Sequence, residues 1–345
     1  MQKLALLGFG TVGQGLAEIL AEKKEALKAE TGWEGIIVAI SDVMKGSIYD
    51  PDGLDIEEAL HIVKRTGTLD DYPDSERLVR DLDSFETIEQ TNADTIVEVT
   101  FTDVKTGQPA IDHCKAAFRA GKHVVMSNKG PVALAYKELS QLAQQHGVRW
   151  GFEGTVMSGT PALRMPLTAL AGNDIKEITG ILNGTTNYML LRMEEGLSYE
   201  EALEEAQQLG YAEADPTSDV EGYDARYKIV ILANTVMNSL LKVDDVQCEG
   251  ITHLTPYDIK KAKSKGKRWK LIARVSNENG EIKASVQPEM LDETHPLAAI
   301  QGVLNAVTFE CDLAGTITLS GPGAGRTETG YSLLIDLLNI YRNHL

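Results

Sequence analysis

The sequence is short of the residues that many familiar sites require. Cysteine occurs three times in 345 residues, at Cys114, Cys248 and Cys311, and no pair has CxxC spacing. An odd number scattered so widely gives no disulfide framework, and free thiols in a reducing cytosol are the expectation. The histidines (His61, His113, His123, His146, His253, His295 and His344) form neither HxxxH nor HExxH, and there is no GxSxG. That weighs against a zinc enzyme and a serine hydrolase. No run of 18 apolar residues exists, so no membrane-spanning helix is expected. The apolar run after Met1-Gln2-Lys3 is four residues long, too short for a signal-peptide core. Positive charge is also scarce: 33 Lys and Arg against 51 Asp and Glu give a net charge of −18. Nucleic acid and anionic membranes would be repelled by such a surface. A soluble, cytoplasmic protein with neither as partner is expected.

What is present begins at the first turn. Leu4-Ala5-Leu6-Leu7 runs into Gly8-Phe9-Gly10-Thr11-Val12-Gly13, and Gln14 to Lys28 has a helical pattern. Strand, GxGxxG and helix in that order are the context in which the motif binds a dinucleotide, with the pyrophosphate at the helix N-terminus. The next strand, Ile36 to Ile40, ends at Ser41-Asp42. An acid there can bond a ribose hydroxyl and repel a 2′-phosphate, which leans the cofactor toward NAD. Lys45 and the small Ser41 keep NADP open, as does a plain turn role for Asp42. Helical pieces are predicted near Ile56–Lys64 and Ser75–Leu82, then a strand at Asp94–Thr100, a helix at Pro109–Ala120 and a strand at His123–Met126. Thr100 and Lys129 fall just beyond strand ends, where open parallel sheets bind ligands. Lys129, ahead of Gly130-Pro131, is expected on a tight turn. Val148–Phe152 reads as the closing strand.

The second half opens with Glu153-Gly154-Thr155-Val156-Met157-Ser158-Gly159-Thr160-Pro161, either a connector or a loop whose backbone binds an ion. Ile175–Leu182 is a predicted strand, followed by Asn183-Gly184-Thr185-Thr186-Asn187, whose small polar side chains suit a polar substrate or an ordinary N-cap. The stretch from Tyr211 to Lys228 gathers five carboxylates, an Arg and a Lys, then becomes apolar from Ile229. Ser218 with Glu221 predicts a capping box and a helix start there. Asp224 and Lys228 are four apart, on one face of that helix, which is expected to continue through Met237 and Leu240. A carboxylate beside a lysine heading a buried helix can tune proton transfer. The alternative is a helix-start ion pair worth about 0.3–0.5 kcal/mol. Lys260 to Arg268 reads as a solvated basic face or a counter-charge for a subunit neighbour. Trp269–Val275 and Glu281–Val286 are predicted to pair through a turn at Asn277–Gly280. More strands follow, then Gly321-Pro322-Gly323-Ala324-Gly325 and an amphipathic helix at Tyr331–Tyr341.

Several blocks occur together in a familiar order: Gly8–Gly13, Asn128-Lys-Gly-Pro131, Gly180-Ile-Leu-Asn-Gly-Thr-Thr-Asn187, Leu209-Gly-Tyr-Ala-Glu-Ala-Asp-Pro216, Asp224-Ala-Arg-Tyr-Lys228 and Gly321–Gly325. Over essentially its whole length the chain resembles the homoserine dehydrogenases, in their short form without aspartokinase or regulatory domains. The resemblance implies an α/β protein: an N-terminal Rossmann-type doubly wound parallel sheet (1–152), an α+β substrate and dimerisation domain (153–310), and a C-terminal segment (311–345) returning to the nucleotide domain. It implies NAD(P)-dependent interconversion of L-homoserine and L-aspartate 4-semialdehyde, on the route to threonine and methionine, by a homodimer. Lys228 matches the proton donor and acceptor, Asp224 its neighbour, and Lys129 a second active-site lysine that contacts cofactor. Glu213 matches the position binding the substrate amino group, with Thr185, Tyr211 and Asp219 lining the pocket. Cofactor positions are Gly8, Phe9, Gly10, Thr11, Val12, Gly13, Asp42, Thr100, Lys129 and Gly325. Glu153, Val156, Ser158 and Thr160 match a structural sodium site. The polar run Arg326–Gly330 and the lack of an Arg after Asp42 depart from the family's usual pattern. Another two-domain dehydrogenase, or a dinucleotide sensor without activity, are the competing readings.

Overall fold

The computed structural model describes residues 1–343 except Asn279. It divides into two units, one of Met1–Gly159 with the stretch from Gly325 onward, the other Thr160–Ala324. The breaks therefore fall at 159/160 and 324/325, not at 152/153 and 310/311. The strand at Gly315–Pro322 belongs with the second unit's sheet, which moves the later boundary.

The first unit runs β1 (Gln2–Leu7), α1 (Thr11–Thr31), β2 (Gly35–Asp42), β3 (Gly46–Tyr49), α2 (Ile56–Thr66), β4 (Val79–Arg80), α3 (Ser84–Gln90), β5 (Thr95–Glu98), α4 (Ala110–Arg119), β6 (His123–Met126), α5 (Lys129–Gln145) and β7 (Trp150–Gly151). Its sheet has the order β4-β3-β2-β1-β5-β6-β7. Strands β2, β1, β5, β6 and β7 are parallel, while β3 and β4 extend the edge antiparallel. The apolar run of β1 is buried on both faces, as a central parallel strand requires. The predicted helix at Ser75–Leu82 is instead a turn followed by β4. The Ser75 hydroxyl accepts from the Arg77 and Leu78 amides, a local bond that competes with helix. The helix forms one step later, where Asp83 and Glu86 make a reciprocal capping box. Lys129 sits in the first turn of α5 rather than on a tight turn.

The second unit runs α6 (Arg164–Thr168), β8 (Ile175–Ile181), α7 (Gly184–Glu194), α8 (Tyr199–Gln208), α9 (Thr217–Val220), α10 (Tyr223–Val236), β9 (Gln247–Cys248), α11 (Pro256–Lys263), β10 (Lys267–Glu278), β11 (Glu281–Asp292), β12 (Leu304–Cys311) and β13 (Gly315–Pro322). Its sheet is β13-β12-β8-β10-β11-β9, antiparallel apart from β9 beside β11. The long β10–β11 hairpin keeps register to Glu278 opposite Glu281; Asn279 of its predicted turn lies outside the described residues. The Ser218–Glu221 capping box does not form. Gly222, at φ +79, breaks the stretch into short α9 and α10, and α10 starts after it. A Cβ there would also lie 3.0 Å from the Val286 side chain. At its other end α10 stops at Val236, before Asn238 at φ +51, so Leu240 lies on an exposed loop.

Helix α7 is held at its first turns. Asn187 donates from Nδ2 to the carbonyls of Gly302 (3.0 Å) and Leu304 (3.2 Å), and its Oδ1 accepts from Lys270 Nζ at 2.8 Å. Lys270 also donates to the Ile300 carbonyl. Gly184 backs onto the Val303 carbonyl, where a Cβ would come within 2.6 Å. Burial pushes the Lys270 pKa down to about 8, with Glu194 opposing the shift.

The last helix, α12 (Arg326–Tyr341), belongs to the first unit and starts five residues before the predicted Tyr331. Leu333, Leu334, Leu337, Leu338 and Ile340 enter that unit's core beside Leu16 and Leu20 of α1. The helices approach closely because both carry glycine: a Cβ on Gly330 would lie 2.7 Å from the Gly15 carbonyl carbon, and one on Gly15 2.4 Å from the Arg326 oxygen.

Two stability tests follow from this packing. Gly13 and Gly10 share a motif but not a constraint: a Cβ on Gly13 would lie 2.6 Å from the Gly8 oxygen, and one on Gly10 meets nothing within 4 Å. Gly13→Ala is expected to cost ~1–3 kcal/mol in denaturant unfolding, and Gly10→Ala no more than about 0.5 kcal/mol; equal losses would refute the distinction. For Lys270, the folded chain holds the proton more weakly than the unfolded chain does. The penalty is therefore present at neutral pH and is relieved as pH rises above about 8. Relative to Lys270→Met, the parent should gain about 2 kcal/mol of stability between about pH 7 and pH 10. A difference that stays constant across that range would contradict it.

Candidate active site

Lys228 lies in the second turn of α10 and is 8% exposed. Its ammonium donates to Asp224 Oδ2 at 2.6 Å and to the Leu182 carbonyl at 2.7 Å. The first partner comes from helical spacing, the second from the residue just past the end of β8. The next residue, Asn183, is one that sequence reasoning did not single out. Its Oδ1 accepts from the Thr186 amide at 2.9 Å and caps α7. Its Nδ2 donates to Asp219 Oδ1 at 2.7 Å and to Asp224 Oδ2 at 3.1 Å. One buried amide thus starts a helix and holds two carboxylates in place. The available signal was an Asn at a helix start, where both roles were open.

Around this cluster, Thr185 donates from Oγ1 to the Tyr211 carbonyl at 2.5 Å, and the Tyr211 ring meets Tyr188 edge-on at 5.1 Å. The chain brings Lys228, Asp224, Asp219 and Asn183 into one bonded set, and Thr185 with the Tyr211 backbone forms a separate pair. Glu213 is exposed on the loop before α9, and its backbone carbonyl accepts from Gln207. Its carboxylate does not join the Lys228 set through any hydrogen bond among the described residues.

In the first unit the residues of the glycine loop divide by role. Gly8 has φ +95, and a Cβ on it would lie 2.6 Å from the Val99 oxygen. Gly13 is pressed on Gly8, whereas Gly10 opens onto empty space at the N-cap of α1. That helix has no side-chain cap and no acid in its first turn. Backbone amides and a positive helix end with room beside them fit the pyrophosphate of a dinucleotide. Thr11 and Val12 form the first turn, and the Phe9 carbonyl accepts from Gln14 Nε2 at 2.7 Å. Asp42 accepts the Phe9 amide on Oδ2 at 2.7 Å and the Met44 and Lys45 amides on Oδ1 at 2.9 and 3.0 Å. It is a turn residue and also a clamp on the loop. Thr100 follows the end of β5 and Lys129 opens α5, both half-buried.

Glu153, Val156 and Ser158 belong to the first unit and Thr160 opens the second. Glu153 and Ser158 are buried, and Ser158 Oγ lies 2.8 Å from Thr329 Oγ1. Met157 and Ser158 hold φ values of +57 and +54, unusual for residues with a Cβ. Thr160 donates from Oγ1 to the Pro322 carbonyl at 3.0 Å. No cluster of three His, Cys, Asp or Glu suited to a metal occurs among the described residues. His344 lies outside them. Gly325, at φ +145, precedes α12. The polar run after it turns onto its own unit: Arg326 makes paired bonds to Glu18 at 2.9 and 2.6 Å and one to Gln14 at 3.2 Å. No helix among the described residues is long and apolar enough to cross a membrane.

Comparison with known proteins places two family matches on the chain, the later of which in sequence runs past the break at 324/325. Residues 161–338 match the homoserine dehydrogenase family and residues 8–153 the homoserine dehydrogenase NAD binding domain. An NAD(+)-dependent homoserine dehydrogenase of Pseudomonas canavaninivorans is 46% identical over 99% of this chain and 96% of its own length. The homoserine dehydrogenase of Methanocaldococcus jannaschii is 42% identical over 99% of this chain and 98% of its own. A hyperthermophilic archaeal homoserine dehydrogenase solved in complex with NADPH superposes with TM-score 0.85 at 32% identity, covering 99% of this chain and 98% of its own. With a glycine loop shaped for a dinucleotide and a buried lysine held by a carboxylate, the chain belongs to the homoserine dehydrogenase family and is an NAD(P)-dependent oxidoreductase.

Proposed function

We propose that Lys228 is the proton donor and acceptor in the interconversion of L-aspartate 4-semialdehyde and L-homoserine. The observation that carries the reading is its buried ammonium, held at 2.6 Å by Asp224 and 2.7 Å by the Leu182 carbonyl. Those bonds occupy two of three ammonium protons, and the third remains for the substrate oxygen. Nicotinamide chemistry supplies or accepts the hydride when the cofactor is bound. Asp224 keeps the lysine charged and aimed, and Asn183 fixes Asp224 by sharing the same oxygen. Thr185, Tyr211 and Asp219 line the substrate pocket in this reading. Glu213 binds the substrate amino group, and its exposure fits a carboxylate that meets a ligand rather than the protein.

In the first unit, the amides of Gly8–Gly13 receive the pyrophosphate, and Thr100, Lys129 and Gly325 border the nicotinamide half. Asp42 favours NAD: a 2′-phosphate would meet its carboxylate, and no arginine follows it. The NAD(+)-dependent relative at 46% identity leans the same way. The stretch Glu153–Thr160, with buried Glu153 and two left-handed residues, is proposed to hold a structural sodium ion on carbonyl oxygens, the donor chemistry a hard cation takes. Assembly as a homodimer through the second unit, cytoplasmic residence and a place in threonine and methionine formation belong to the same reading; the mass in solution tests the first.

Lys228→Ala should keep cofactor affinity and lose about 10²-fold or more in kcat. Near-normal turnover would end the proposed role. Measured side by side, kcat/KM for homoserine oxidation should favour NAD over NADP, and Asp42→Ala should narrow the ratio. A parent enzyme that prefers NADP would overturn the assignment to Asp42.

A further inference from the structure

Glu98 ends β5 and has no exposed surface. A carboxylate removed from water is costly unless donors meet its oxygens. Here the donors come from three separate segments. Thr100, in the loop after β5, donates its hydroxyl to Oε1, with its amide 3.4 Å from the same oxygen. From α4, His113 places Nδ1 3.2 Å from Oε1, and its ring stands edge-on to Phe85 at 5.2 Å. Asn128 donates from Nδ2 to Oε2, and to the Thr100 carbonyl at 3.1 Å.

The last of these bonds is unexpected. Asn128 is the N-cap residue of α5, where an Asn side chain ordinarily accepts an amide of the first turn, yet it makes no such bond. Its side chain is turned to Glu98 instead. The pairing of β5 does not call for a carboxylate, because its neighbours β1 and β6 bond through backbone and its other residues are Thr95, Ile96 and Val97. The carboxylate's partners are His113 of α4, the loop carrying Thr100 and the residue joined to Lys129.

We infer that Glu98 is a positioning residue for hydride transfer, whose carboxylate fixes Thr100 and the Asn128–Lys129 start of α5 in one arrangement at the cofactor's reacting end. This rests on the reading of Thr100 and Lys129 as cofactor contacts. A glutamine at 98 keeps the shape but turns one acceptor into a donor. Its amide either opposes Asn128, or faces Thr100 and His113, which must then accept where they donated.

The test is Glu98→Gln in the full-length enzyme, with Asn128→Ala as a second variant acting on the same bond. Both should bind homoserine as the parent does and lose about 10- to 100-fold in kcat per folded molecule. With homoserine deuterated at the hydroxyl-bearing carbon, the isotope effect on kcat should rise as hydride transfer becomes slower than product release. The double variant should be no slower than the slower single one. Parent-like kcat and isotope effect per folded molecule in both variants would overturn the assignment and leave Glu98 a purely structural acid. Lys129→Ala and Thr100→Ala address the underlying reading separately. If neither changes the cofactor KM, the contacts are misassigned, whatever Glu98 does.

Discussion

The second unit is arranged to take one ammonium out of water. An exposed Asp–Lys pair one helical turn apart contributes about 0.3–0.5 kcal/mol, and nothing else in a fold need adapt to it. Burial changes the scale, because removing one partner of a buried pair costs about 3–5 kcal/mol. The Lys228 ammonium therefore requires Asp224, the Leu182 carbonyl and a fixed distance between the end of β8 and the start of α10. Asn183 closes the arrangement by tying Asp224 to Asp219 and to the first turn of α7. The clamp of Asn187 and Lys270 on residues 300–304 then holds α7 from the far side of the same turn. What begins as a charge problem at one side chain fixes the relation of a strand, two helices and a loop.

The first unit is governed by close approach rather than by charge. Gly8 and Gly13 allow the loop to fold on itself, and Gly15 with Gly330 lets α12 lie against α1. The guanidinium of Arg326, bonded to Glu18 and Gln14, secures that contact at the helix start. The polar run after Gly325 looked foreign to a cofactor-facing segment in the sequence. In the structure Arg326 is a brace between two helices, and Thr329 reaches Ser158.

Much of this was legible in the chain, and the failures have physical causes. The glycine loop, β6, the Asp224–Lys228 spacing and the β10–β11 hairpin rest on local geometry, which a sequence states directly. The helix misplaced at Ser75–Leu82 arose because a Ser beside apolar spacing can bond its own backbone, and only the competing box at Asp83–Glu86 settles the contest. The box at Ser218–Glu221 failed because Gly222 takes a left-handed conformation against Val286 and Cys248, residues far away in sequence. The end of β13 and the start of α12 move the unit boundary for the same reason, since strand pairing with β12 is not a local property. Asn183 stood in a quoted motif and Glu98 in a predicted strand, and neither carried a mark of its long-range bonds.

Asn183 and Asn128, each at the N-cap of a helix, show how a cap separates structural from functional use. At α7, Asn183 keeps its cap with one end of the amide and gives the other end to the aspartates. At α5, Asn128 makes no cap with its side chain and gives its amide to Glu98 and Thr100. A forgone cap is worth about 1 kcal/mol. A buried carboxylate left without a donor would cost about 1–3 kcal/mol or more, so the exchange is favourable once Glu98 is buried. An apolar residue at 98 would have spared both costs and freed Asn128 to cap its helix, while leaving the Thr100 hydroxyl and the buried His113 ring without this acceptor. The carboxylate is thus explained by what it holds beside Thr100 and Lys129, not by the stability of β5.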